Sequence, residues 1–223
     1  MRYHDGLEVV MMLEALAQSL IRGDADAASR LTRQAIEAGV APSLILNEGL
    51  LAGMAVIGQR FRENDIFLPQ VLVAARAMKA GIAHLEPLLA AAGVKPVGKF
   101  LVGTVQGDIH DIGKNLVSIM LRGAGFQVID LGINVNARQF IAGIEDHRPD
   151  IVGMSALLTT TMLQMRTNIA QFAAAGLRDQ VKVMIGGAAV TPQFAVDIGA
   201  DAYGNTAAAA VDKALALLAS TPV

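Results

Sequence analysis

Apolar residues recur every three to four positions through the first part of the chain and then change period. Over Leu7 to Ile21, the positions Leu13, Leu16, Ala17 and Leu20 mark one face of a helix that Gly23 ends. Asp24 is placed to cap a second helix, which runs through Leu31, Ala35 and Ile36 to Gly39. Pro42 opens a third, carrying Leu46, Leu50, Met54 and Ile57. Gly49, Gly53 and Gly58 lie along it at a cost in helix propensity, which points to close helix packing or to a bulky ligand nearby. The polar segment Arg62 to Asp65 breaks the pattern, and Pro69 starts a fourth helix through Val73, Met78, Ile82 and Leu89, with a kink expected at Pro87. Four helices on short connections make an antiparallel bundle, assigned to residues 1–94.

Past Gly93 the period switches, with Lys95-Pro96-Val97-Gly98 as the linker. Short β-rich runs near 99–105, 126–131, 150–154 and 181–185, and a weak one near 202, alternate with helical runs near 113–123, 137–146, 160–175, 191–198 and 206–218. This alternation predicts a second domain, residues 95–223: an α/β fold of flavodoxin or Rossmann type with a parallel five-stranded sheet. Polar and glycine residues gather where strands end. Asp108 to Gly113 follow the first, Ser155 to Thr161 the third, and Gly186-Gly187 the fourth. With strand order 2-1-3-4-5 these segments line one crevice at the carboxyl edge, where such sheets bind ligands. Taken singly, each has a plainer reading. Asp108 or Asp111 could cap a helix beside an idle His110, Ser155 and the threonines could cap another, and the Gly pair could form a tight turn.

Composition narrows the chemistry. Eighteen basic against 20 acidic residues give a net charge of -2, so no polyanion-binding surface and no nucleic-acid partner are expected. The absence of Cys excludes disulfides, thiolate metal sites and cysteine nucleophiles, and it suits a reducing compartment. Mean hydropathy is high, +0.47. Asp5, Glu8 and Glu14 interrupt the first apolar stretch, so neither a signal peptide nor a membrane span is expected, and a cytoplasmic location is. Gly107 to Gly113 does not have the spacing of a Walker loop, and Lys114 is followed by Asn115 instead of Ser or Thr. No Gly-x-Gly-x-x-Gly follows the first strand, and Ser155 lacks the second Gly of a nucleophile elbow. His4, His84 and His147 have no partner spacing suited to zinc.

Asp108-x-His110-x-x-Gly113, followed by Ser155-x-Leu157 and Gly186-Gly187, resembles the signature of the cobalamin-binding domain shared by methionine synthase, corrinoid proteins of methyltransferase systems and adenosylcobalamin mutases. The resemblance implies that His110 replaces the cofactor's own benzimidazole as lower cobalt ligand, with Asp108 bonded to its other ring nitrogen. It implies a nucleotide tail in a deep channel, contacted by Ser155 and Leu157, with room left by Gly186-Gly187; Asp111, Gly113 and Thr159 fall in the same segments. In methionine synthase a hydroxyl continues the His-Asp relay at the position of Thr161. A carboxylate behind a ligating imidazole fixes its tautomer and raises its basicity.

The helical half decides between methyl transfer and radical rearrangement. Gly53-Met54, Gly58, Phe61, Phe67 to Val71 and Ala75 to Lys79 resemble the helical cap of methionine synthase and small corrinoid proteins. There a Phe and a Leu shield the methyl group on cobalt, and they match Phe61 and Leu68. Periodicity alone would assign both to the bundle core. The departure is Val135-Asn136, where methionine synthase has a proline after the valine. The resemblance therefore implies a methyl-carrying corrinoid protein binding methylcobalamin or a related corrinoid. It would work between a substrate-specific and an acceptor methyltransferase, with a reductive activator as a further partner and Lys95 to Gly98 as hinge. The alternatives are the cobalamin subunit of a mutase, which would lack the cap, and a cobalamin-sensing regulator, which would need a DNA-binding segment.

Overall fold

The computed structural model describes residues 3–219, with side chains from residue 6 onward, so the side chain of His4 lies outside the described residues. The chain divides into two compact units, one up to Lys95 that also takes in Gly123–Gly125, the other from Pro96 onward.

The first unit is helical: α1 Tyr3–Ile21, α2 Ala25–Glu37, a rod made of α3 Pro42–Leu44, the π-helical segment Ile45–Leu51 and α4 Ala52–Arg62, and α5 Leu68–Ala91. Asp24 caps α2 by accepting from the Ala27 N–H at 2.9 Å. α2 packs on α1 and α5, and its buried residues are Ala27, Ala28, Thr32 and Ala35, whereas the predicted Leu31 and Ile36 are only half-buried. Small side chains let two helices approach closely, and that geometry outranks hydrophobicity here. The π segment explains a second difference. Ile45 and Leu50, five residues apart, are both fully buried, while the predicted Leu46 is half-buried; a π turn inserts one residue and rotates the face. A Cβ at Gly49 would stand 2.6 Å from Leu16 Cδ2, and one at Gly53 2.7 Å from the Ala17 carbonyl oxygen. Close packing on α1 is thus why these two positions are glycine. On α5 the buried face holds Val71, Ala74, Ala77, Met78 and Leu85; Val73 is exposed, and the helix continues through Pro87 to Ala91.

The second unit alternates strand and helix: β1 Lys99–Thr104, α6 Ile112–Gly123, β2 Gln127–Asp130, α7 Ala137–His147, β3 Ile151–Ser155, α8 Thr159–Ala174, β4 Lys182–Gly186, α9 Pro192–Asp197, β5 Ala202–Gly204 and α10 Ala207–Ala219. All strands run parallel in the order β2-β1-β3-β4-β5, as expected. In the central strand β3, Ile151 to Met154 are buried on both faces, the pattern of a covered parallel sheet. Phe140 and Phe172 meet edge-on on one side of it. The switch point falls between β1 and β3, so the loops after these strands and after β4 share the carboxyl edge. Among the described residues no helix is long and apolar enough to cross a membrane.

Candidate functional site

The loop from β1 to α6 is fastened at each turn. Thr104, buried at the strand end, donates its hydroxyl to the His110 carbonyl at 3.0 Å. The Asp108 N–H donates to the Val105 carbonyl at 3.1 Å, and the Asp108 carbonyl accepts from the Asn134 N–H at 3.0 Å. The Asn134 side-chain oxygen accepts from the Gly107 N–H at 2.8 Å. Asn134 sits in the left-handed region at φ 54°, where Asn is among the few tolerated non-glycine residues. Sequence reading missed it, because its partners lie 26 and 27 positions upstream and no local spacing signals them.

Asp108 is fully buried and accepts from five donors. One carboxylate oxygen takes the His110 N–H at 3.0 Å and the His110 Nδ1 at 2.7 Å. The other takes the Leu157 N–H at 2.8 Å, the Leu158 N–H at 3.4 Å and the Thr161 hydroxyl at 2.6 Å. Burial alone would push this carboxyl up. The bonds from Thr161, from the His110 and Leu157 backbone and from the His110 ring outweigh it, holding the group well below the ordinary carboxylate range. A carboxylate only accepts, so Nδ1 carries a proton, and the neutral imidazole keeps its lone pair on Nε2. With its side chain 48% exposed, His110 can present that lone pair to a metal. Thr161, in the first turn of α8, also lies 3.0 Å from the Leu158 carbonyl, but the shorter contact is to the carboxylate. The plainer reading in which Ser155 or a threonine caps α8 therefore fails. No side chain caps α8, and Asp108 from another loop supplies the anion at its N-terminus.

The remaining residues divide. The Asp111 side chain accepts from the Asn115 amide at 2.9 Å and so belongs to the start of α6. A Cβ on Gly113 would meet nothing within 4 Å, so packing within the chain does not demand glycine there. Ser155 and Gly186 line a cleft of about 50 Å³ between the sheet and helices α6 and α10, whereas Leu157 and Thr159 are exposed and do not line it. Gly187 has a different role from the room-making one expected of it. At φ 123°, a Cβ there would stand 1.9 Å from the Ala156 carbonyl oxygen, so the approach of the β3 and β4 ends requires glycine. Lys114, read earlier only as evidence against a Walker loop, is buried in the cleft wall and bonds Asp130 at 2.5 Å and Asn115 at 2.8 Å. Phe61 and Leu68, half-buried at the α4–α5 end of the bundle, are not in its core.

A corrinoid fits these residues. One imidazole offers a free Nε2, a donor type that suits cobalt, and among the described residues no cluster of acidic and His side chains forms a competing metal site. Around His110 lie exposed apolar side chains, Ile109, Ile112, Ile133, Leu157 and Leu158, suited to the apolar surface of a macrocycle. The profile of the B12 binding domain family matches residues 98–212, and a second B12 binding domain profile matches residues 12–86. The chain belongs to the B12-binding family. Corrinoid proteins are among its relatives. It is 44% identical over 210 residues to the dimethylamine corrinoid protein of Methanosarcina barkeri, covering 93% of this chain and 98% of that one. It is 40% identical over 213 residues to a corrinoid protein of Desulfitobacterium hafniense, covering 94% and 99%. In structure it matches a chain of the methanol:cobalamin methyltransferase complex of Methanosarcina barkeri with a TM-score of 0.86 and 32% identity, over 95% of this chain and 81% of that one. The cofactor of this corrinoid protein is cobalamin or a related corrinoid.

Proposed function

We propose that the chain is a cytoplasmic methyl carrier working between two enzymes. One methyltransferase would load it from a small N- or O-methyl compound, and a second would unload it to an acceptor such as a folate or a thiol, with a reductive activator restoring the cofactor after oxidation. The observation that carries this reading is the extent of the likeness. Both units are matched, and the dimethylamine corrinoid protein aligns over 98% of its length, helical half included. A mutase subunit would account for the α/β unit alone.

When bound, the corrinoid supplies a cobalt centre that accepts and releases a methyl group. The chain's part is to hold and tune it. His110 Nε2 would ligate the cobalt, Asp108 holds the ring by Nδ1, and Thr161 bonds the far carboxylate oxygen, so the imidazole is tied into a three-residue chain running into α8. Ser155, Leu157 and Gly186 would receive the nucleotide tail, and Phe61 and Leu68 would shield the reacting face.

Reconstituted with cobalamin and reduced, the full chain should take isotopic label from a methylamine or methanol only when the methyltransferase that copurifies with it is present. Label acquired without any enzyme, or rearrangement activity with a mutase catalytic subunit, would overturn the proposal.

A further inference from the structure

The cleft between the sheet and helices α6 and α10 has a lopsided chemistry. Phe100, Val102, Val117, Met184, Ile185 and Ala210 line it with carbon. Two side chains on its wall are polar. Lys114 is anchored to Asp130 and Asn115, which occupies two of its three donors and leaves it no acceptor. Ser155 therefore provides the one side-chain hydroxyl, and with it the one side-chain acceptor, facing the space. The strand backbone around it is committed to the parallel ladder, Gly153 and Ser155 pairing with neighbours on both sides.

We propose that this cleft selects the lower base of the corrinoid, taking a benzimidazole in preference to a purine. The inference rests on the reading that the nucleotide tail enters here. A benzimidazole released from cobalt shows one ring nitrogen and otherwise carbon edges, which match one hydroxyl and apolar walls. Adenine shows three ring nitrogens and an exocyclic amine, more polar groups than Ser155 and Lys114 can pair. Leaving even one such group unsatisfied weakens binding by about 10- to 100-fold. Lys114 has one donor left for one ring nitrogen but offers the exocyclic amine no acceptor, so even together with Ser155 it leaves a ring nitrogen and an amine N–H of adenine unpaired.

The test is spectroscopic titration of the full chain with three ligands: the dimethylbenzimidazolyl cobamide, the adeninyl cobamide, and cobinamide, which lacks the nucleotide. The expected order is benzimidazolyl tightest, adeninyl about 10- to 100-fold weaker, cobinamide weakest. Val117→Thr keeps the side-chain shape and adds a hydroxyl to the wall, so it should narrow the gap between the first two several-fold; Met184→Gln should do the same. Equal affinity for both bases in the parent chain, with cobinamide far weaker, would overturn the selectivity and leave the tail in the cleft. Cobinamide binding as tightly as the benzimidazolyl form would overturn entry of the tail itself. A base preference that neither variant alters, each shown by its melting curve to be folded, would place the discrimination elsewhere and overturn the proposal.

Discussion

The two units use the same packing device and place their polar groups in opposite ways. In the helical unit, Gly49 and Gly53 bring α1 and the π-containing rod into contact, and only Ser19 and Thr32 are buried polar residues among those described. Ser19 bonds back to the Leu16 carbonyl within its own helix, and Thr32 makes no bond through its hydroxyl. In the α/β unit, Gly153 lets the Phe100 ring cross β3, yet Thr104, Asp108, Lys114, Ser118, Thr161 and Asn168 are all buried. Three of these, Thr104, Asp108 and Thr161, converge on the one loop that carries His110. Burying a charge is costly unless donors compensate it, so a unit that could have packed with carbon alone has reason to hold Asp108 there. The bundle is built for shape and the strand ends are built for chemistry.

The largest test of this contrast uses two glycines of the same signature. Gly187→Ala forces a Cβ onto the Ala156 carbonyl at positive φ and should destabilise the fold by more than about 3 kcal/mol in chemical denaturation. Gly113→Ala, in the first turn of α6 with open space around it, should change stability by less than about 1 kcal/mol. If it nonetheless weakens corrinoid binding tenfold or more, the glycine serves the ligand and not the fold.

A smaller effect is expected in the His110 chain. Asp108→Asn should reduce corrinoid affinity by about 10- to 100-fold, the usual worth of a residue behind a metal ligand. Thr161→Val, which removes one donor to a charged acceptor, should cost roughly 1.5–3 kcal/mol of stability. The pH dependence has a definite sign. The Asp108 carboxyl is lower in the folded chain than its ordinary 3.8, so its contribution is fully present above that value and is lost as pH falls below it. The stability gap between the parent chain and Asp108→Asn should therefore be widest above about pH 5 and shrink below about pH 4. A gap that is constant with pH would show that the carboxylate is not the stabilised form.

Much of this was legible in sequence, and the failures have physical causes. Strand positions followed from apolar runs separated by helical periods, because a parallel sheet covered on both faces needs such runs, while the strand order rested on the assumed flavodoxin type and agrees with it. The Asp108, His110 and Thr161 chain could be anticipated because two of its members are local and the third matches a family position. The burial of Leu31 and Leu46 was misjudged, since close approach through alanine on α2 and the added residue of the π segment shift which face is inside. Phe61 and Leu68 fit a helical period yet stand outside the core, because the helix ends where they sit. Asn134 and Lys114 were invisible as site residues, their partners Gly107 and Asp130 lying across a loop and a strand.

The central claim is that His110 Nε2 is the lower ligand of the cofactor. Electron paramagnetic resonance of the reconstituted chain, with cobalt in the paramagnetic divalent state, tests it most directly. The spectrum should show superhyperfine splitting from one nitrogen, present in the parent chain and absent in His110→Ala with cofactor bound. Nitrogen splitting that persists unchanged in His110→Ala would contradict the assignment.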